Sequence, residues 1–149
     1  MRWILGLALT VSAVGASQVS AQECAAVVEA NDQVQFVQKE LHVSRSCKSF
    51  TVTLKHTGSL PASIMGHNWV LAKTPDFMAV GQTGGSAGPA NNYVAPGDAR
   101  VLAASKLIGG GEETTVSFDA SALEAGGDYT YFCTFPGHYL LMSGKLIVE

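Results

Sequence analysis

Apolar and polar residues alternate along much of this chain, with the period of a strand that buries one face. Val34 and Phe36 stand against Gln33 and Gln35, and Leu41 and Val43 resume the pattern after Lys39-Glu40. Phe50-Thr51-Val52-Thr53-Leu54 alternates again and is rich in the β-branched and aromatic residues that suit a pleated, half-buried surface. Residues 25–29 are short and apolar, and residues 68–72, 101–105, 114–118, 129–133 and 145–148 read as further strands. Turn residues separate these runs at His56-Thr57-Gly58, Leu60-Pro61, Gly109-Gly110-Gly111, Gly126-Gly127-Asp128 and Gly137. Many short strands punctuated this way predict an all-β fold, a Greek-key β-sandwich.

Residues 74–97 break the pattern. Asp76-Phe77-Met78-Ala79-Val80 opens a short helix, with Thr74 or Asp76 as N-cap and Pro75 tolerated near the first turn. Gly81, Gly84, Gly85 and Gly88 follow, each weakening a helix interior by about 1 kcal/mol relative to alanine. The segment reads as a surface excursion of the same domain.

The first 21 residues stand apart from this domain. Arg2 supplies a positive start, residues 3–16 are almost wholly apolar, and Val19-Ser20-Ala21 ends in a small residue. These features predict a secretory signal, residues 1–21, cleaved after Ala21. The run is too short for the roughly 18 apolar residues of a membrane span. The remaining domain, residues 22–149, keeps eight Lys and Arg against twelve Asp and Glu, a formal charge of −4. A mildly acidic chain is a poor partner for nucleic acid or an anionic membrane. No later stretch is apolar enough to insert into a bilayer.

The chemistry is concentrated in Cys133-Thr134-Phe135-Pro136-Gly137-His138-Tyr139-Leu140-Leu141-Met142. Pro136 and Gly137 exclude a helix, so this is a loop between two strands, bringing a thiol, an imidazole and a thioether to its mouth. Such soft and borderline donors suit copper better than magnesium or calcium. A blue copper centre needs two imidazoles and one thiolate, with a weak axial sulfur. The loop offers one imidazole, and His67 in Met65-Gly66-His67-Asn68-Trp69 is the candidate for the other. On position alone, such a histidine is more often a hydrogen-bonded core residue.

Here the chain resembles the azurins, a family of cupredoxins. The likeness rests on Cys133, His138 and Met142 at their spacings and on the earlier Gly-His-Asn-Trp at residues 66–69. Glu23-Cys24, Ser46-Cys47-Lys48 and Lys106-Leu107-Ile108-Gly109 extend it over nearly the whole domain. The resemblance implies a cupredoxin fold with a helical flap at residues 74–97 and one type 1 copper per chain. His67 and His138 would give ring nitrogens, Cys133 the thiolate, Met142 a long axial sulfur and Gly66 a carbonyl oxygen on the opposite side. Asn68 would tie the His67 segment to the backbone around Thr134, and the N–H groups of Asn68 and Phe135 would donate to the Cys133 sulfur. Leu60, Ile64, Met65, Phe135, Pro136, Leu140 and Leu141 would form an apolar docking face around the edge of His138. His56 stands where azurins have a buried histidine that titrates near neutral pH. A satisfied structural role is an equal reading of it.

Three cysteines in an oxidising compartment imply one pair and one left over. With Cys133 among ligands, Cys24 and Cys47 are the expected disulfide, worth roughly 3 kcal/mol for a loop of about 24 residues in the chain-entropy model. His42 is expected on a solvated face, Trp69 in the core, and Tyr129 and Tyr131 in packing roles.

The function expected is a periplasmic blue copper electron carrier, a monomer or weak oligomer and not an enzyme. Its partners by resemblance are a c-type cytochrome or a copper nitrite reductase. The alternative is a copper carrier or store without a redox role. An enzyme with Cys133 as nucleophile leaves Met142 unexplained, and zinc could occupy the same four ligands.

Overall fold

The structure, a computed structural model, describes residues 23–149, so the predicted signal at residues 1–21 lies outside the described residues. Among the described residues, nine strands form two sheets. The strands are β1 (Ala25–Asn31), β2 (Gln35–Phe36), β3 (Glu40–Val43), β4 (Phe50–His56), β5 (Val70–Lys73), β6 (Ala103–Ala104), β7 (Glu113–Phe118), β8 (Tyr129–Phe132) and β9 (Ser143–Val148). One sheet has the order β2-β1-β4-β7 and the other β3-β9-β8-β5-β6. Pairs β1–β4 and β3–β9 are parallel and the others antiparallel.

The alternation seen in the sequence sets the inner faces. In β4, Phe50, Val52, Leu54 and His56 are buried while Thr51, Thr53 and Lys55 lie nearer solvent. Val28, Ala30, Leu41, Val43, Leu146 and Val148 join them from β1, β3 and β9. A column of rings crosses the core. Phe36 packs on Tyr131, Tyr131 stacks on Trp69 and Trp69 stacks on Phe118, with centroids 5.5, 5.6 and 5.9 Å apart. Fully burying a side chain of this size contributes roughly 2–3 kcal/mol. Tyr131 donates its hydroxyl to the carbonyl of Gln38 at 2.7 Å, whereas the Trp69 ring N–H has no acceptor among the described residues. Cys24 and Cys47 form a disulfide, with Cα atoms 5.6 Å apart. His42 is exposed, its ring nitrogens 2.7 and 2.8 Å from Glu149 and Glu40.

Two local expectations are corrected. Val34 is not a strand residue; it sits in the turn between β1 and β2 at φ 56°, a left-handed conformation that residue alternation cannot reveal. The run at 101–105 yields only the two-residue β6, paired to Val70 and Leu71 of β5.

A single helical turn, α1 (Ala62–Met65), precedes β5, and the flap contains the helix α2, Phe77–Ala87, which continues through Gly81, Gly84 and Gly85. Asp76 precedes it, but its side chain makes no capping bond. The glycines are a packing requirement. A Cβ at Gly81 would enter the ring of Tyr139, and one at Gly84 would meet the Tyr93 carbonyl and lie 2.9 Å from Thr134 Cβ. The missing side chains let α2 lie directly on the loop that follows β8, which offsets the intrinsic cost of glycine in a helix.

Candidate metal centre

Sheet register brings the two ligand segments together. β5 pairs with β8 with Val70 opposite Phe132, so the residues before β5 run beside those after β8. Asn68 and Thr134 continue this alignment through a side chain: Asn68 Oδ1 accepts from the Thr134 N–H at 2.8 Å, and Nδ2 donates to Thr134 Oγ1 at 2.7 Å. Nδ2 also donates to the carbonyl of Asn92 at 2.8 Å. His67 is fixed by a reciprocal backbone pair with Ile108, at 3.0 and 2.9 Å.

The loop after β8 closes on itself. The Cys133 N–H donates to the Met142 carbonyl at 3.1 Å, which forms its neck. Gly137 at φ 81° turns the chain, and His138 opens a single turn of 3₁₀ helix, His138–Leu140. The Met142 N–H returns to the His138 carbonyl at 2.8 Å. Met142 is fully buried.

His67, Cys133 and His138 are all buried, and their donor atoms lie within 4.8 Å of one another. Cys133 Sγ is 3.8 Å from His67 Nδ1, 3.7 Å from His138 Nδ1 and 3.9 Å from the Gly66 carbonyl oxygen. A nitrogen and a sulfur bound to one ion at zinc-like lengths, ~2.0–2.1 and ~2.3 Å, stand about 3.8 Å apart in a trigonal plane. Both sulfur–nitrogen separations therefore already match those a shared ion imposes.

Hydrogen bonds select the tautomer. His67 Nε2 donates to the Asn31 carbonyl at 2.8 Å, which leaves Nδ1 unprotonated and facing the sulfur. Burial pushes the His67 and His138 imidazoles down to about 4, so both are neutral ligands at neutral pH. Burial pushes the Cys133 thiol up to about 12, against the opposing pull of the Asn68 and Phe135 N–H groups. Without a cation the sulfur keeps its proton; a bound cation replaces that proton and stabilises the thiolate. A thiolate with two imidazoles is the donor set that copper favours.

The other sequence-singled residues fall around this centre. The His56 ring stacks on His67 at 4.4 Å. Its Nε2 donates to the Met65 carbonyl at 2.9 Å, and its Nδ1 accepts from the Gly58 N–H at 3.1 Å. Both ring nitrogens are thus satisfied in the neutral form. Phe135 packs on His138 at 4.5 Å. Leu60, Ile64, Leu140 and Leu141 are exposed at 37, 61, 62 and 72%, so these apolar side chains face solvent. Pro136 is exposed with them, while Met65 and Phe135 are half-buried.

Residues that sequence reading assigned no role at the site complete the frame. The Asn31 carbonyl orients His67, and Ile108 pairs with it. Asn92, at φ 53°, accepts from Asn68 and holds the Leu107 N–H on its side chain at 3.0 Å. Their contributions are mainly main-chain contacts, which leave no mark on residue type.

The family described as copper binding proteins, plastocyanin/azurin family, matches residues 22–149. An azurin from Bordetella pertussis is 56% identical over 128 residues, covering 86% of this chain and 85% of that protein. Azurin-1 from Alcaligenes xylosoxydans xylosoxydans is 55% identical over 124 residues, 83% of this chain and 96% of that one. Among solved structures, azurin (Az-iso2) from the obligate methylotroph Methylomonas sp. strain J superposes with a TM-score of 0.82 at 45% identity, covering 86% of this chain and 99% of that one. The family match over the whole described domain, these identities and a buried His67–Cys133–His138 cluster spaced for one copper ion make this chain a member of the plastocyanin/azurin family of copper-binding proteins.

Proposed function

We propose that residues 22–149 act in the periplasm, after removal of residues 1–21, as a blue copper carrier passing single electrons between redox proteins. In this reading His67 and His138 would hold the ion through ring nitrogens and Cys133 through its thiolate, with the Met142 thioether and the Gly66 carbonyl as further donors. When bound, the ion supplies a one-electron Cu(II)/Cu(I) couple.

The observation that carries this reading is the buried trio, with the cysteine sulfur 3.8 and 3.7 Å from two imidazole nitrogens. Each donor residue is held by bonds that do not depend on the ion: Asn31 on the His67 ring, Ile108 on its backbone, the Met142 carbonyl on the Cys133 N–H and the Phe135 carbonyl on the His138 N–H. A site held from two strand ends and a closed loop moves little when its charge changes, which suits electron transfer. Burial of all three donors also favours a carrier over an enzyme that must admit a substrate.

Electrons enter and leave at His138, the donor nearest solvent, through the rim of Leu60, Ile64, Leu140 and Leu141. An exposed apolar rim of this kind suits small, short-lived redox encounters. A c-type cytochrome or a copper nitrite reductase is the proposed company.

The test is to add Cu(II) to the reduced apoprotein and follow the visible spectrum. An intense blue band is expected, lost in Cys133→Ser, bleached by a reduced c-type cytochrome and restored by an oxidant. A colourless complex in the unmodified protein would refute the site. A blue complex that no cytochrome reduces would refute the shuttle and leave copper storage.

A further inference from the structure

Asp32 lies in the turn between β1 and β2, one residue after Asn31, whose carbonyl orients His67. Its carboxylate reaches across to the loop after β4. Oδ2 accepts the Ser59 N–H at 2.9 Å and Oδ1 accepts the Leu60 N–H at 3.4 Å. Gly58 permits this approach, because a Cβ there would collide with the carboxylate. Oδ1 is also 3.9 Å from Nε2 of His56, whose ring stacks on His67. From the turn that follows the ligand-aiming Asn31, one side chain thus reaches both the loop that carries Leu60 of the apolar rim and the ring lying against that ligand.

We propose that Asp32 is a positioning residue for electron transfer, which pins the 58–60 loop to the His67-orienting turn and places a fixed negative charge beside the ligand stack that lowers the reduction potential. The inference rests on the copper-carrier reading above. The carboxylate is only partly exposed, at 23% of its side-chain surface, so water screens it incompletely. The Ser59 N–H, foremost, holds the carboxyl below its ordinary value, so the group is ionised throughout the neutral range. A nearby anion stabilises the more positive oxidised ion over the reduced one. The two bonds to the loop serve a different end. They hold Leu60 at the height of the rim and, through the turn, keep the Asn31 carbonyl beneath His67.

Two substitutions separate charge from anchorage. Asp32→Asn keeps the shape and one acceptor but removes the charge, whereas Asp32→Ala removes both. Voltammetry of the copper-loaded Asp32→Asn protein should show about a threefold shift of the one-electron equilibrium toward the reduced form, roughly 28 mV upward at 59 mV per tenfold. The position of the blue band should be unchanged. Asp32→Ala should raise the potential by at least as much. It should also speed amide exchange at Ser59 and Leu60 in the apoprotein, a readout that needs no metal, while Asp32→Asn leaves Ser59 largely protected. An Asp32→Asn potential equal to that of the unmodified protein would overturn the electrostatic role. Unaltered exchange in Asp32→Ala would overturn the anchoring role. A missing blue band in the unmodified protein would instead bring down the copper reading itself.

Discussion

Replacing Asn68 with leucine should damage this protein more than its small change in volume suggests. Asn68 is fully buried, and its amide makes three bonds: to the Thr134 N–H, to Thr134 Oγ1 and to the Asn92 carbonyl. Leucine fills the space and satisfies none of them. The Thr134 N–H is the costly group, because Thr134 is fully buried and a main-chain donor cannot rotate away. An unsatisfied buried group costs about 1–3 kcal/mol. The Asn92 carbonyl is half-buried and can take a water, so its loss is smaller. The sum is roughly 3–4 kcal/mol, or a fall of about 10–15 °C in Tm for a domain of this size. Calorimetry of the apoprotein measures it, and a Thr134→Val partner mutation completes a double-mutant cycle. A coupling energy of about 1–2 kcal/mol is expected. In the copper form the potential should also fall, as the loosened 67–68 and 134–135 segments aim their N–H groups less well at the sulfur. A loss below about 1 kcal/mol with no coupling to Thr134 and an unchanged midpoint potential would refute the reasoning.

The α2 glycines make a graded series. Gly84→Ala should destabilise by about 2 kcal/mol in urea titrations, since the Tyr93 carbonyl and Thr134 Cβ cannot withdraw. Gly85→Ala, whose nearest neighbour is Pro136 Cα at 3.8 Å, should stabilise by about 0.5–1 kcal/mol. Acid should weaken the apoprotein through its two ligand histidines. Both have folded values of about 4, below the ordinary unfolded value of 6.5, so their contribution is intact above pH ~6.5 and lost as pH falls toward 4. Melting temperature against pH checks this, and a His67→Gln variant should flatten part of the slope. Removing the disulfide by Cys24→Ala and Cys47→Ala should cost roughly 3 kcal/mol while leaving the blue spectrum in place. The bridge sits at the Phe50 end of β4 and the metal centre at the His56 end, ~20 Å away at about 3.3 Å per strand residue.

Much of this protein was legible from local pattern. Strand alternation around Phe50–Leu54 and Thr114–Phe118 depends only on which face is wet, and both became the antiparallel pair β4–β7. Val34 misled because a residue forced to positive φ looks, in sequence, like any apropos β-branched residue. The length of α2 was obscured for the opposite reason. Its glycines argue against a helix in isolation, and only contact with Tyr139, Tyr93 and Thr134 explains them.

Sequence alone determined the ligand loop. Cys133, His138 and Met142 are near neighbours, and Pro136-Gly137 compels the chain to turn between them, so their convergence is a local event. Tertiary structure decided everything that reaches across the sandwich. His67 meets Cys133 because Val70 pairs with Phe132, a choice of register made by two buried sheet faces. Its ring is aimed by the carbonyl of Asn31, 36 residues earlier, and its neighbour Asn68 is held by the carbonyl of Asn92, 24 residues later. Every residue carries a carbonyl, so no residue type could announce those two; packing alone brought them to the copper site.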